Sequence, residues 1–149
     1  MDIYSIRPYS SKDLEEVITI FRGNTPDFFS TEEETDLIGY LKNETEDYFV
    51  IENENQVVGC GGINYESDYA VGIISWDIIH SKYQGMGIGA KLLNHRLNLL
   101  KSKRSIQKII VRTSQIVFPF YEKAGFELKE VKIDYWAKGF DLYHMEIRL

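Results

Sequence analysis

Residues Val71 to His80, VGIISWDIIH, put apolar side chains on both faces of any strand they form. A strand apolar on both faces needs cover on both, so this segment calls for the middle of a sheet flanked on each side by helices. Directly after it comes Tyr83 to Leu93, YQGMGIGAKLL, with glycines at 85, 87 and 89, and then helical spacing at Ile88, Leu92, Leu93, Leu97 and Leu100. Strand, glycine-rich turn and helix start together make a cradle for an anion. The first N–H groups of a helix lack partners within it and carry about half a positive charge between them. Side chains at 85, 87 and 89 would block a close approach to that backbone, which gives the glycines a steric reason. The plainer alternative is a turn that lets strand and helix pack tightly, and three alternating glycines disfavour it.

The rest of the chain supplies the cover. IYSIRPY alternates as a first strand, and SSKDLEEVITIFRG reads as a helix with Ser10 or Ser11 as N-cap, an apolar stripe of Leu14, Val17, Ile18 and Phe21, and Gly23 as stop. After the loop NTPDFF, a second helix from Thr31 to about Asn43 opens on STEEE, a hydroxyl cap followed by acids. DYFVIEN, QVVGCGGINYE and VGIISWDIIH form a meander joined by the turns ENENQ and SDYA. QKIIVRTS is a short buried strand. PFYEKAGF is a short helix, with Pro119 at a first helical position and Gly125 as its C-cap. ELKEVKIDYW and FDLYHMEIRL close as antiparallel strands. The order β-α-α-β-β-β-α-β-α-β-β predicts an α/β fold: a mixed, mostly antiparallel sheet with helices on both faces. At 149 residues the chain is expected to form a single domain, 1–149.

Charge and composition remove several classes of function. A net charge of −6, from 23 acidic and 17 basic residues, disfavours nucleic acid and anionic membranes as partners. No apolar run approaches the roughly 18 residues of a membrane span, and MDIYSIRPYSSKDLEE lacks the basic-then-apolar order of a secretion signal, so a cytoplasmic protein is expected. The basic cluster KSKRSIQK reads as a solvated helix end. Cys60 is the single cysteine, set in the apolar run VVGCGGI, and reads as a small core residue. His80, His95 and His144 have no metal-ligand spacing, His95 falls on the solvated side of its helix, and no metal is expected.

The anion then has to be identified. No Gly-Lys-Ser/Thr occurs, which excludes a Walker loop. Gly85-x-Gly87-x-x-Ala90 satisfies a dinucleotide fingerprint, but the following strand ends in Arg112 where an acid is expected, and strands surround it instead of further β-α units. Arg112 could pair with a 2′-phosphate, which keeps NADP as an alternative.

Gln84-x-x-Gly87-x-Gly89 after a buried strand resembles the Q/R-x-x-G-x-G/A signature of the GCN5-related N-acetyltransferases, the GNAT superfamily, whose members bind the pyrophosphate of acetyl-CoA on that loop. PFYEKAGF, Pro119 to Phe126, resembles the family's FYEKxGF segment at the usual distance downstream. The resemblance implies acetyl-CoA as acyl donor, bound by Gln84, Gly85, Met86, Gly87, Ile88, Gly89 and Ala90. It implies that backbone at Ile78 and Ile79 contacts the pantetheine arm and polarises the acetyl carbonyl. Ser114 falls where many members carry a cofactor-binding asparagine, and its shorter hydroxyl could instead cap the strand end. Tyr121 falls where the family's frequent general acid lies, and a phenol of ordinary pKa about 10 stays protonated until a thiolate takes the proton.

For the general base the residues offer Asp77, a lone carboxylate in an apolar strand that must meet a hydrogen-bond partner or the substrate cleft. Glu66 in the hairpin turn is a second candidate. Tyr135 and Trp136 of DYWAKGF could line an acceptor pocket or serve as core or interface aromatics. The expected reaction is direct transfer of acetyl to a primary amine in a ternary complex, the acceptor being a small amine or amino-acid-like metabolite. The rival is a non-catalytic acyl-CoA-binding sensor or subunit, and a homodimer stays open.

Overall fold

In the computed structural model, which describes residues 3–149, the doubly apolar segment forms β4 (Val71–Ile79), fourth in line of the seven strands of one sheet. β1 (Tyr4–Pro8), β2 (Asp47–Asn53) and β3 (Gln56–Glu66) make the antiparallel meander that leads to it. The hairpin between β2 and β3 turns on Glu54 and Asn55, both at positive φ (50° and 69°), as a tight two-residue turn between twisted strands requires. β5 (Lys108–Thr113) lies beyond β4 and parallel to it. A parallel pair needs a crossover, and α3 (Ile88–Lys101) supplies it. The mixed, mostly antiparallel sheet expected from the element order is the one observed.

Helices cover both faces. α1 (Leu14–Arg22) and α2 (Glu34–Asn43) bury Val17, Phe21, Leu37 and Leu41 against Val50 and Cys60. α3 and α4 (Phe118–Lys123) bury Leu93, Leu97, Leu100 and Tyr121 against Ile63 and Ile109 on the other. Both N-terminal helices begin with a 3-10 turn, where the carboxylates of Asp13 and Glu33 each accept the backbone N–H of the serine three residues back, Ser10 and Ser30, at 2.9 Å. Cys60 is fully buried and burial pushes its thiol up to about 12, as suits a core residue. No helix among the described residues is long and apolar enough to cross a membrane.

The last two strands reverse their chain order in the sheet. β7 (Phe140–Arg148) pairs with β5, and β6 (Glu127–Ala137) lies outside it as the edge strand. Composition explains this: β7 has Leu142 and Met145 to bury, whereas β6 alternates acids and lysines and is exposed from Glu127 to Tyr135.

Candidate active site

The site begins with a defect in β4. β3 pairs Gly62 with Ser75 and Cys60 with Ile78, so Trp76 and Asp77 share one partner, Gly61. Trp76 takes a positive φ of 48°, and Tyr48 Oη donates to its carbonyl at 2.8 Å. A bulge re-aims the side chains it carries. Here it lays Asp77 across Gly61, where any Cβ would collide with the Asp77 carboxylate and stand 2.9 Å from Arg96 Nη1. On the other side of β4, pairing with β5 ends at Ile74 and Val111 although both strands continue, so a gap opens between them.

Three elements meet at Asp77. Arg96 Nη1 of α3 forms an ion pair with Oδ1 at 2.5 Å, and Tyr121 Oη of α4 donates to Oδ2 at 2.5 Å. Arg96 is fully buried, donates from Nη1 to the Gly62 carbonyl at 3.0 Å and from Nε to the Leu92 carbonyl at 3.2 Å, and has no hydrogen-bond partner for Nη2 among the described residues. The ion pair is short but lacks hydrogen-bond alignment, since Oδ1 also has no such partner. Burial opposes the charge on Arg96, yet the Asp77 carboxylate outweighs it and raises the guanidinium's pKa. Burial first, and then Asp77, push the Tyr121 phenol well above its ordinary value, so it holds its proton. Sequence reasoning missed Arg96, although it stands on the buried stripe between Leu93 and Leu97. A buried cation on one element and a carboxylate set in an apolar strand on another are natural partners.

The glycine loop has the expected shape for a partly different reason. Gly85 and Gly87 lie at φ 77° and 81°, and nothing comes within 4 Å of a Cβ built on either, so their glycines answer a left-handed backbone more than crowding. At Gly89 a Cβ would touch the Phe120 ring at 3.4 Å, an ordinary contact. Gly87 caps α3, and its carbonyl accepts the Lys91 N–H at 3.1 Å. The N–H groups of Ile88, Gly89 and Ala90 come before that first helical bond. Gln84 braces the loop: its amide donates to Asn24 Oδ1 at 2.7 Å, and Asn24, 3% exposed, donates to the carbonyls of Ile20 and Ile79 at 2.9 Å. The Ile79 carbonyl is therefore already engaged. Asn24 carries no signal in the sequence beyond its loop.

Two cavities share the catalytic candidates. The first, about 480 Å³, runs along Gln84, Gly85 and Gly87 to Ala90, past Ile78 and Ile79, to Asp77, Arg96 and Tyr121. Met86 is outside this wall and its side chain is 56% exposed, which leaves its backbone as the part of it that faces the loop's ligand side in the reading above. The second cavity, about 550 Å³, has Trp76, Trp136 and Glu66 in its wall and meets the first at Phe28, Phe29, Asp77, Val117 and Tyr121. Ser114 lines the second cavity and not the first, and its Oγ accepts the Ile116 N–H at 3.2 Å, as the capping alternative expects. Trp136 is anchored by its indole N–H on the Thr113 carbonyl at 3.0 Å, while Tyr135 is half exposed and outside the wall. A buried phenol and a carboxylate thus stand where two ligands could meet.

The model of the acetyltransferase (GNAT) family matches residues 14–126. N-alpha-acetyltransferase 50 of Danio rerio is 29% identical over an alignment 92 residues long that covers 50% of this chain and 55% of that relative's length. The crystal structure of Ard1 from Thermoplasma volcanium has the same fold, with a TM-score of 0.83 at 19% identity and 99% of each chain covered. An aminoglycoside 6′-N-acetyltransferase complexed with coenzyme A aligns with a TM-score of 0.77 at 13% identity, covering 97% of this chain and 96% of that one.

Proposed function

The chain belongs to the acetyltransferase (GNAT) family, and from that premise we infer that residues 1–149 act as one N-acetyltransferase domain, moving acetyl from acetyl-CoA to a primary amine within a ternary complex. The observation that carries this reading is the Tyr121–Asp77 pair at the junction of the two cavities. The first cavity suits coenzyme A. Left-handed Gly85 and Gly87 leave the backbone open on one side, the leading N–H groups of α3 face an anion with the positive end of the helix, and the gap between β4 and β5 gives the arm a path past Ile78. The thioester supplies an activated acetyl group.

The chain's own residues handle protons. The amine must lose one and the leaving thiolate must gain one. Asp77 takes the proton of the amine and Tyr121 gives its own to the thiolate. The 2.5 Å hydrogen bond between them lets the first proton replace the second, so the pair returns to its starting state. Arg96 holds Asp77 in place and is a positioning residue. Glu66 lies in the wall of the second cavity without contact to Tyr121, which favours Asp77 over it as base.

Tyr121→Phe tests the reading. Its kcat, followed as release of the coenzyme A thiol, should fall by roughly 10²-fold or more, while acetyl-CoA still raises the melting temperature as it does for the native chain. An unchanged kcat would remove Tyr121 from the chemistry. Stabilisation by NADP and not by acetyl-CoA would overturn the assignment as a whole.

A further inference from the structure

The second cavity carries chemistry of its own. Its wall brings four carboxylates, Glu33, Glu44, Glu66 and Asp77, against one cation, Arg112, which is exposed. Two of the four are committed: Asp77 to Arg96 and Tyr121, and Glu33 to the Ser30 N–H, its carboxyl pushed up by burial. The carboxylates of Glu44 and Glu66 make no ion pair or hydrogen bond with any described residue. They stand exposed at the rim.

The neutral polar side chains inside are already paired. Tyr40 Oη and Ser75 Oγ both donate to Asn64 Oδ1, at 2.5 and 2.8 Å, and the Asn64 amide donates to the Glu44 carbonyl at 2.7 Å and to Glu46 Oε1 at 3.2 Å. Tyr65 Oη donates to Asp47 and the Trp136 indole to Thr113. Between these groups the surface is aromatic: Phe28, Phe29, Trp76, Trp136 and Phe140, with Phe29 and Trp76 stacked at 6.1 Å between ring centres. A peptide acceptor would bring a main-chain donor and acceptor at every residue to a cavity whose neutral side-chain groups are taken, leaving it only the strand edges at the gap between β4 and β5, and each unmatched group is costly. A free α-amino acid would set its carboxylate among these acids. A methylene chain with separated ammonium groups asks only for aromatic faces and free carboxylates.

The geometry also sets a length. Asn64, which holds the Glu44 backbone, pairs with Ile73, and Ile73 lies four residues before Asp77 on β4. At about 3.3 Å per residue that is roughly 13 Å, somewhat less across the bulge. Glu66 pairs with Val71, six residues before Asp77 and about 20 Å away by the same rise, so it is the outer of the two rim acids. A short monoamine spans neither distance, and a linear triamine reaches the nearer one.

We propose that the second cavity takes a linear aliphatic polyamine, its terminal amine at Asp77 and Tyr121 and a distal ammonium against Glu44 and Glu66. The inference rests on the acetyltransferase reading above. The test is steady-state release of the coenzyme A thiol by the full chain with spermidine, butylamine, alanine and an alanine tripeptide as acceptors. Spermidine should have the highest kcat/KM. The exposed pair of changes Glu44→Gln with Glu66→Gln should lower that value about tenfold, as expected for losing two partly exposed charge contacts, while butylamine turnover and acetyl-CoA binding stay unchanged. Preference for the tripeptide or alanine, or a double variant indifferent to spermidine, overturns the polyamine assignment and leaves the acetyltransferase reading standing. No turnover of any amine, together with no thermal stabilisation by acetyl-CoA, sinks both.

Discussion

Two glycine-to-alanine changes of opposite predicted sign test how the site is built. Gly39 lies inside α2, and a Cβ there meets nothing within 4 Å. Alanine gains helix propensity and loses unfolded-state freedom, so Gly39→Ala should stabilise by about 0.5–1 kcal/mol. Gly61 lies under the Asp77–Arg96 pair, where the same methyl would collide with the Asp77 carboxylate and stand 2.9 Å from Arg96 Nη1 and 3.0 Å from its Cζ. These atoms belong to a buried ion pair held at 2.5 Å and fixed by the Gly62 carbonyl, so they have little room to give. Overpacking costs about 1–3 kcal/mol, and separating a buried pair adds to it. After the backbone gain is subtracted, Gly61→Ala should lose about 2–3 kcal/mol. For a chain of this size the melting temperature should rise by roughly 2–4 °C for Gly39→Ala and fall by roughly 5–10 °C for Gly61→Ala. Release of the coenzyme A thiol should fall at least about tenfold for Gly61→Ala, because displacing Asp77 breaks its contact with Tyr121. Circular dichroism melts and thiol-release kinetics on the same preparations decide it. A Gly61→Ala protein that melts at or above the native temperature and keeps its kcat would refute the stacking of the pair over β3.

Three further outcomes follow from single contacts. Gly87→Ala places a side chain at φ 81° without a steric clash, so the strain of about 1–2 kcal/mol falls on the loop; calorimetry should show acetyl-CoA affinity down roughly tenfold with kcat at saturation near native. Arg96→Met leaves Asp77 without its counter-charge and should destabilise by about 3 kcal/mol in urea melts, whereas adding Asp77→Leu should recover much of the stability and none of the activity, because replacing a whole buried pair by apolar groups is close to neutral. Asp13 is held below the usual carboxylate range first by its hydrogen bonds from Arg7, so its contribution is present above its unfolded value near 3.9 and is lost as pH falls through the folded value. Melting temperature against pH should therefore drop less on acidification for Asp13→Asn than for the native chain.

The elements that could be read from the sequence are those whose evidence is local. Leu92, Leu93, Leu97 and Leu100 mark the buried face of α3 by spacing alone, and Gly87 marks its start by the turn it permits. The exchange of β6 and β7 is not a matter of spacing, since both alternate as strands; it lies in composition, the acids and lysines of β6 against Leu142 and Met145 of β7, and shows only when the two strands are compared as rivals for the inner place. Asp77 and Tyr121 were legible singly and not as a pair, because they lie 44 residues apart and meet only once α4 has packed against the sheet. For Ser114 the resemblance fixes a position along the chain and says nothing of which cavity its side chain enters, and it is the second.

The bulge was hidden by the very property that made β4 conspicuous. In a strand polar on one face, a slip of one residue would turn charged side chains inward and betray itself in the pattern. VGIISWDIIH is apolar in either phase, so a slip at Trp76 leaves no trace except Asp77, which an unbroken strand would bury with no partner. Three observations that look independent in the sequence then have one cause. Asp77 needs a cation, Arg96 on the apolar stripe of α3 needs an anion, and Gly61 must lack a side chain for the two to meet over β3. Once they meet, Arg96 fixes the Asp77 carboxylate beside a phenol that keeps its proton, and a proton acceptor and a proton donor stand on one 2.5 Å hydrogen bond.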